Sequence, residues 1–372
     1  MELIEGKEGE TPFFIPVQDP LDQFPPGTAP VFYNPRMELN RDATVLVLSV
    51  LTPSDYLDAM GASGIRGLRA SRECGIRVTI NDRSGEAADL IRLNAERAGV
   101  QVETTREDVN VLLSARRFDA VDLDPFGSPA PFIDSAIRGT GRFLMVTATD
   151  TAPLCGAHLR AGIRRYSALP RNTEYHAEVG LRILLGFIVR EAARYDIGIV
   201  PLFSFSREHF VRLHLRLNRG AKQADRSLGH IGYILQCSGC FYRREEPGVV
   251  PGCGSCPACG ALLAPVGPLW LGGIQDSEVL DAMKVAMGER TLGTREELVG
   301  IIDTCRAELP TSSHYDYHRL AKVLRVSPPR IADLIARLQE YGFEAGRTHY
   351  SGTSLKTTAP LEEIYRALIS CP

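Results

Sequence analysis

The stretch "DLDPFG", residues 122–127, closes a hydrophobic run with two acids, a proline and an aromatic ring. A carboxylate at Asp124, on a turn stiffened by Pro125, is suited to accept a hydrogen bond from a planar amine. That bond makes the nitrogen lone pair more available, and the same carboxylate can take the departing proton when the nitrogen acquires a new group. Phe126 beside it offers a face on which a flat base stacks. "DLDPFGSPAPF" contains no cysteine, so attack at a pyrimidine carbon through a thiolate adduct has no nucleophile here. Cys155, in "APLCGAH", reads as a buried structural thiol.

A second constellation lies upstream. In "DAMGASGIRG" Gly61, Gly64 and Gly67 are spaced GxxGxxG, with Ser63 where the dinucleotide fingerprint GxGxxG has its middle glycine. Such a turn lets backbone N–H groups at a helix N-terminus cradle part of a nucleoside ligand. Asp82 ends the next strand signal, about twenty residues beyond the turn, where a carboxylate accepts from ribose hydroxyls. Asp108 is placed to accept from an adenine amine, and Arg41 and Arg66 to pair with a ligand carboxylate. Asp58 joins Asp82, Asp108 and Asp124 among acids near predicted strand ends. Ribose, adenine and a carboxylate without phosphate describe S-adenosylmethionine, which these residues favour over a nicotinamide dinucleotide.

Five of the nine cysteines fall between positions 237 and 259. Cys237-x2-Cys240, then fifteen residues, then Cys256-x2-Cys259 is the spacing of a four-thiolate structural zinc site. Cys253 is a rival ligand, because Cys253-x2-Cys256 is also a CxxC pair, but "CPACG" looks like a zinc-ribbon knuckle and favours Cys256 and Cys259.

These residues need a rigid base, and the pattern between them supplies one. "IRVTIND", "FDAVDLD" and "FLMVTATD" read as strands, and "GEAADLIRLNAERAG" between the first two as a helix, which implies a parallel, doubly wound α/β sheet. Ligands bind such sheets outside the carboxyl ends of the strands. A long helix, "EYHAEVGLRILLGFIVREAARYD", and a hairpin through "IGIVPLFSFSREHFVRLHLRL" complete a first domain, residues 1–230. A zinc-binding module follows at 231–275, then a C-terminal domain at 276–372. Two helices around "RVSPP" and a strand hairpin in "FEAGRTHYSGTSLKTTAP" make that last domain winged-helix-like. Its Arg319, Lys322, Arg325, Arg330, Arg337, Arg347 and Lys356 outnumber Asp316, Asp333, Glu340 and Glu344, a local excess suited to RNA phosphates.

The chain of 372 residues is 44% hydrophobic and 23% charged with a net charge of −3, so any nucleic-acid surface must be a local basic patch. No apolar run reaches the roughly 18 residues of a membrane span. The N-terminus "MELIEGKEGE" is acidic where a signal peptide would be basic. A cytoplasmic protein with no membrane and no obligate protein partner is expected.

The Asp124 turn resembles the D/N-P-P-Y/F loop of amino-group methyltransferases, with Phe126 in the third position and Gly127 in the fourth. The motifs "APVFYNPRMELNRD", "GASGIRGLRA", "DLDPFGSP", "TATDTAPLCGAH", "GPLWLGG" and "GRTHYSGTSLKTTAP" together resemble the tRNA guanosine-26 N2,N2-dimethyltransferase family. That resemblance implies a Rossmann-like class I methyltransferase domain and two methyl transfers from S-adenosylmethionine to the exocyclic amine of one tRNA guanine. It implies Phe32 and Phe126 as the holders of the target base and Arg41 and Arg66 as residues at the cofactor. It also implies a zinc knuckle that touches tRNA or braces the fold rather than taking part in catalysis. A stacked guanine cannot reach such a pocket, so base extrusion is expected. The competing readings are a DNA adenine amino-methyltransferase, an inert zinc-ribbon and winged-helix nucleic-acid binder, and a nicotinamide dehydrogenase.

Overall fold

The computed structural model describes residues 2–17 and 31–371, so Ala29 and Pro30, which head the "APVFYNP" motif, lie outside the described residues. The chain divides into two compact units, Met1–Thr147 with His214–Leu217 and Ser277–Ile302, and Ala148–Leu213 with Asn218–Asp276 and Asp303–Pro372.

The first unit opens with an antiparallel hairpin of β1 (Leu3–Glu8) and β2 (Thr11–Pro16), an element the sequence pattern did not announce. Helix α1 (Glu38–Leu51) buries Ala43 through Leu48 and stops where Thr52 enters the left-handed region at φ 42°. The chain then alternates through β3 (Asp55–Asp58), α2 (Ile65–Cys74), β4 (Arg77–Asn81), α3 (Gly85–Ala98), β5 (Glu103–Thr105), α4 (Val109–Ala115), β6 (Phe118–Leu123), α5 (Ile133–Gly139) and β7 (Thr140–Ala148). Strand pairs β3·β4, β3·β6, β4·β5 and β6·β7 are all parallel, as helical crossovers require. Leu57 of β3 and Ala120, Val121 and Leu123 of β6 are buried, because helices cover both faces of a central parallel strand. Helix α3 starts at an N-cap, Ser84, whose side chain accepts from Ala87 N, and ends at Gly99 with φ 66°.

From β3 the chain moves outward to β4 and β5, then returns to β6 on the other side of β3 and on to β7. Strand order therefore reverses between β3 and β6. Asp58 ends one of these strands and Asp124 follows the other, so both acids stand at the crevice such a reversal opens.

The second unit continues with α6 (Thr151–Leu154), α7 (Leu159–Tyr166), α8 (His176–Ala193), the hairpin β8 (Ile197–Arg207) and β9 (Phe210–Arg219), and α9 (Ala221–Leu228). The long helix and the hairpin fall where the sequence pattern placed them. The large sheet runs β5-β4-β3-β6-β7-β9-β8. Strands β10 (Ile231–Cys237), β11 (Arg243–Pro247) and β12 (Leu263–Trp270) form an antiparallel sheet in the order β11-β10-β12. Beyond α10 (Ser277–Met287) and α11 (Arg295–Ala307) come β13 (Tyr315–Asp316), α12 (Tyr317–Leu324), α13 (Ile331–Glu340), β14 (Ala345–Arg347), β15 (Ser354–Thr357) and α14 (Leu361–Ser370). The two expected helices and the strand hairpin are present, and β13 adds to β15 to give the order β13-β15-β14. Leu320, Leu334, Leu338, Leu355, Ile364 and Leu368 form their common core. Among the described residues no helix is long and apolar enough to cross a membrane.

One cation assigned to RNA is instead structural. Lys356 is 1% exposed, and its ammonium lies 2.7 Å from Glu178 Oε1 and 3.1 Å from Glu308 Oε1. Glu178 also receives Arg182 Nε at 2.9 Å and faces His314 Nδ1 at 2.9 Å. Glu308 in turn accepts from Thr348 Oγ1 at 2.5 Å and faces His349 Nδ1 at 2.6 Å. Burial alone would raise the Glu178 carboxyl, but Lys356 and Arg182 outweigh it and hold the group well below the usual carboxylate range. Thr348, His349 and Lys356 of the "GRTHYSGTSLKTTAP" motif thus tie the second unit together from inside. Lys356→Ala leaves two buried carboxylates without their shared cation. It is expected to lower stability by about 3–5 kcal/mol in urea unfolding, and a loss under about 1 kcal/mol would show that the cluster is not coupled as drawn.

Candidate active site

The glycine turn between β3 and α2 is shaped by two different needs. Gly64 takes φ +80° at the N-cap of α2, a conformation that favours glycine. Gly61 and Gly67 are instead pressed onto β4, where an added Cβ would lie 2.4 Å from Ile80 Cγ2 and 2.6 Å from Ile80 Cγ1 respectively. Asp82 fastens the turn from the end of β4, accepting Ala62 N and Ser84 N, each at 2.9 Å, through separate oxygens.

Asp58 Oδ2 accepts Gly67 N at 3.0 Å, so a protein carboxylate already sits at the first turn of α2. A pyrophosphate brought to this helix end would meet that acid, which weighs against a dinucleotide. Burial pushes the Asp58 carboxyl up to about 7, with Arg66 pulling the other way.

Arg66 is the second residue of α2, in its first turn, with its side chain 5% exposed. Nη1 donates to Asn40 Oδ1 at 2.8 Å and Thr44 Oγ1 at 2.7 Å, both on α1. Nη2 donates to Asp124 Oδ2 in a short charged contact. Asp122, fully buried in β6, accepts Tyr56 OH at 2.9 Å and lies 3.7 Å from Arg66 Nη1. The guanidinium therefore fixes the Asp124 carboxylate from behind, and Asp124, 21% exposed, keeps a face toward solvent.

Phe126 is 64% exposed, and its ring centroid lies 4.4 Å from that of Phe32 at 58°. The structure thus brings together the two aromatics and the carboxylate that sequence reasoning assigned to one base. A base between the rings needs two van der Waals gaps of roughly 3.5–4 Å each, so the pair must part to admit one.

Arg41 is placed differently from the expectation of a guanidinium open to a ligand carboxylate. Its Nε donates to Glu8 Oε2 at 2.8 Å, and Nη2 to Glu8 Oε1 at 2.5 Å and to the Asn34 carbonyl at 3.0 Å. It also lies 5.2 Å from the Tyr33 ring centroid, so it secures the segment that carries Phe32. Asp108 is exposed and N-caps α4, its Oδ1 accepting Asn110 N at 2.9 Å. Pro125 lies between Asp124, which follows β6, and Phe126.

Sequence reasoning missed Glu8, Asn40, Thr44 and Asp122, which hold Arg41 and Arg66, and Tyr56, which donates to Asp122. Only Asn40, beside Arg41 in "LNRD", and Asp122, inside "DLDPFG", carried any local signal.

In the second unit, Cys237, Cys240, Cys256 and Cys259 bring their sulfurs within 4.8 Å of one another. Separations of 3.4 Å for Cys237–Cys259 and 3.6 Å for Cys240–Cys256 and Cys240–Cys259 approach the ~3.8 Å edge of a tetrahedral zinc tetrathiolate with ~2.3 Å bonds. They are far from the ~2.0 Å of a disulfide. Gly239 N and Tyr242 N point at Cys237 and Cys240 sulfurs at 3.2 and 3.4 Å, which stabilises thiolate. Cys253 is exposed and outside the cluster, which favours the Cys256 and Cys259 assignment. Burial pushes the Cys155 thiol up to about 12, consistent with a structural role. A second trio, Cys305, Glu308 and His349, is equally close, but the Lys356 ammonium beside Glu308 opposes a further cation there.

A family model described as N2,N2-dimethylguanosine tRNA methyltransferase matches residues 17–369. A curated protein of Methanoregula boonei, named tRNA (guanine(26)-N(2))-dimethyltransferase, is 62% identical over 368 residues, covering 99% of this chain and 98% of that one. A protein of the same name from Methanoculleus marisnigri is 61% identical, covering 97% of each chain. Among solved structures, Trm1 from Pyrococcus horikoshii in complex with S-adenosyl-L-methionine is 36% identical with a TM-score of 0.89, covering 98% of this chain and 100% of that one.

Proposed function

The chain belongs to the N2,N2-dimethylguanosine tRNA methyltransferase family, and we propose that it methylates the exocyclic N2 of guanine 26 of tRNA, once and then again. The observation that carries this reading is Asp124 at the carboxyl end of β6, braced by Arg66 and flanked by the Phe32–Phe126 pair.

S-adenosylmethionine, when bound, supplies an electrophilic methyl group on a sulfonium. The protein's part is to present the amine to it. Phe32 and Phe126 part and hold the extruded guanine between them, which fixes the plane of the base. Asp124 accepts one N2–H, drawing the lone pair out of conjugation with the ring and aligning it with the methyl carbon within roughly 3–3.5 Å. As the N–C bond forms and the C–S bond breaks, the proton leaves N2 for Asp124 and then solvent. For the second transfer the monomethylated amine turns, or the base rebinds, so that its remaining N–H faces the same oxygen.

Gly61 and Gly64 give the cofactor a close backbone approach, with Asp58 occupying the helix end. Each Asp82 oxygen accepts one backbone bond and retains capacity for ribose hydroxyls. Asp108 keeps its second oxygen for the adenine amine while capping α4. Arg41 orders the base-holding Phe32 segment through Glu8 and Asn34.

The four-cysteine cluster fits zinc, which would cross-link β10 to the loop before β12 and stabilise the knuckle without entering the chemistry. The succession β13, α12, α13, β14, β15, with β13 beside β15, has the connectivity of a winged helix, and the C-terminal region is read as one.

Two experiments test the reading. Nucleoside mass spectrometry of unmodified tRNA incubated with the protein and S-adenosylmethionine should show N2-methyl- and then N2,N2-dimethylguanosine. Asp124→Ala should lower the rate about 10²–10⁴-fold with cofactor binding retained, and undiminished methylation by that variant would remove Asp124 from the mechanism. Elemental analysis should find one zinc per chain, lost in Cys256→Ser together with a lowered melting temperature; a metal-free wild type of equal stability would contradict the zinc assignment.

A further inference from the structure

Residues 151–173 contain Arg160, Arg164, Arg165 and Arg171 and neither aspartate nor glutamate, in a chain of net charge −3. All four arginines are exposed. The segment is ordered from within: Asp150 accepts Tyr166 OH at 2.7 Å and Arg165 Nη1 at 3.0 Å, which anchors the end of α7. The side chains of Arg160, Arg164 and Arg171 make no hydrogen bond or ion pair among the described residues. Arg160 and Arg164 are four apart on α7, so their like charges share one face and repel, and Arg160 stands in the first turn, where the helix dipole disfavours a cation. A polyanion laid along that face relieves both penalties. Leu159, Ile163 and Leu169 are exposed among the arginines and give it apolar ground against ribose and base edges.

The C-terminal cations are divided. Arg330 is 2.8 Å from Asp333, and Arg319 and Arg337 are each 3.6 Å from an acid of their own helix turn, Asp316 and Glu340. Lys356 is internal. Four of the seven cations of the basic stripe read from the sequence are thus paired or internal, while Lys322, Arg325 and Arg347, like Arg160, Arg164 and Arg171 of the α7 arm, carry no side-chain ion pair among the described residues.

We infer that the α7 arm, through Arg160, Arg164 and Arg171, is a principal contact for the phosphodiester backbone of the RNA substrate. This rests on the tRNA reading above and names the surface that reading requires. The segment follows β7 directly in the chain, and β7 lies in parallel register with β6, Val146 opposite Leu123.

The test is equilibrium binding of unmodified tRNA across about 50–200 mM salt. It compares wild type, the triple variant Arg160→Ala, Arg164→Ala, Arg171→Ala, and a second triple variant, Arg319→Ala, Arg330→Ala, Arg337→Ala. Each lost phosphate contact flattens the slope of log affinity against log salt by about 0.7–0.9, so the α7 variant should lose roughly 2–3 of slope and bind on the order of 10-fold or more weakly. Its affinity for S-adenosylmethionine should stay at the wild-type value, which shows that it is folded. The C-terminal variant should keep a near wild-type slope. An α7 variant with the wild-type slope and affinity, or a loss confined to the C-terminal variant, overturns the inference. Wild type that binds tRNA with an α7-dependent slope but methylates none would overturn the functional reading and leave the surface standing; methylation with an α7-independent slope does the reverse.

Discussion

Arg66 joins the two halves of the crevice. Its guanidinium is anchored on α1 through Asn40 and Thr44 and delivers its other nitrogen to Asp124, while Asp122 adds negative charge from within β6. A cation this buried persists only because carboxylates and hydroxyls replace its water, and an acid beside it gains a fixed position in return. The placement depends on the strand reversal between β3 and β6, which sets the start of α2 beside the end of β6. The glycines then matter for a simple reason: with Gly67 pressed on Ile80, α2 comes close enough for Arg66 to reach across.

The chemistry follows from that restraint. An aryl amine is a poor nucleophile, and a carboxylate helps it only when its lone pairs meet the N–H at the right angle. A free aspartate on a loop would spread over several rotamers. Pro125 limits the backbone after it, and Phe126 continues the turn into the aromatic pair, so carboxylate and stacking face are set by one short run of chain. On the opposite side Arg41 and Glu8 perform a similar service for the Phe32 segment, binding it to the N-terminal hairpin.

Features written in adjacent residues were legible in the sequence. The alternation of strands and helices, the glycine turn, the acid-proline-aromatic step and the cysteine spacing all encode local geometry, and each reappears in the structure. What could not be read was pairing across the fold. Asn40 and Thr44 look like ordinary residues of an amphipathic helix until α2 lies against them. Glu8 belongs to a hairpin whose short strands carry no strong alternation. Lys356 looked like a surface cation because lysine almost always is one, and only the convergence of Glu178 and Glu308 on its ammonium makes burial tolerable. In the same region Asp316, Asp333 and Glu340 sit three residues from Arg319, Arg330 and Arg337 and pair with them, a local pairing that leaves Lys322, Arg325 and Arg347 exposed.

The most direct measurement is the single-turnover rate of methyl transfer to tRNA by Arg66→Lys, with both substrates saturating. Lysine keeps the charge but cannot span Asn40, Thr44 and Asp124 together. If the fork positions the carboxylate, the rate falls on the order of 10²-fold while S-adenosylmethionine binding stays near wild type. A wild-type rate in that variant would contradict the role assigned to Arg66 and leave Asp124 positioned by its own loop alone.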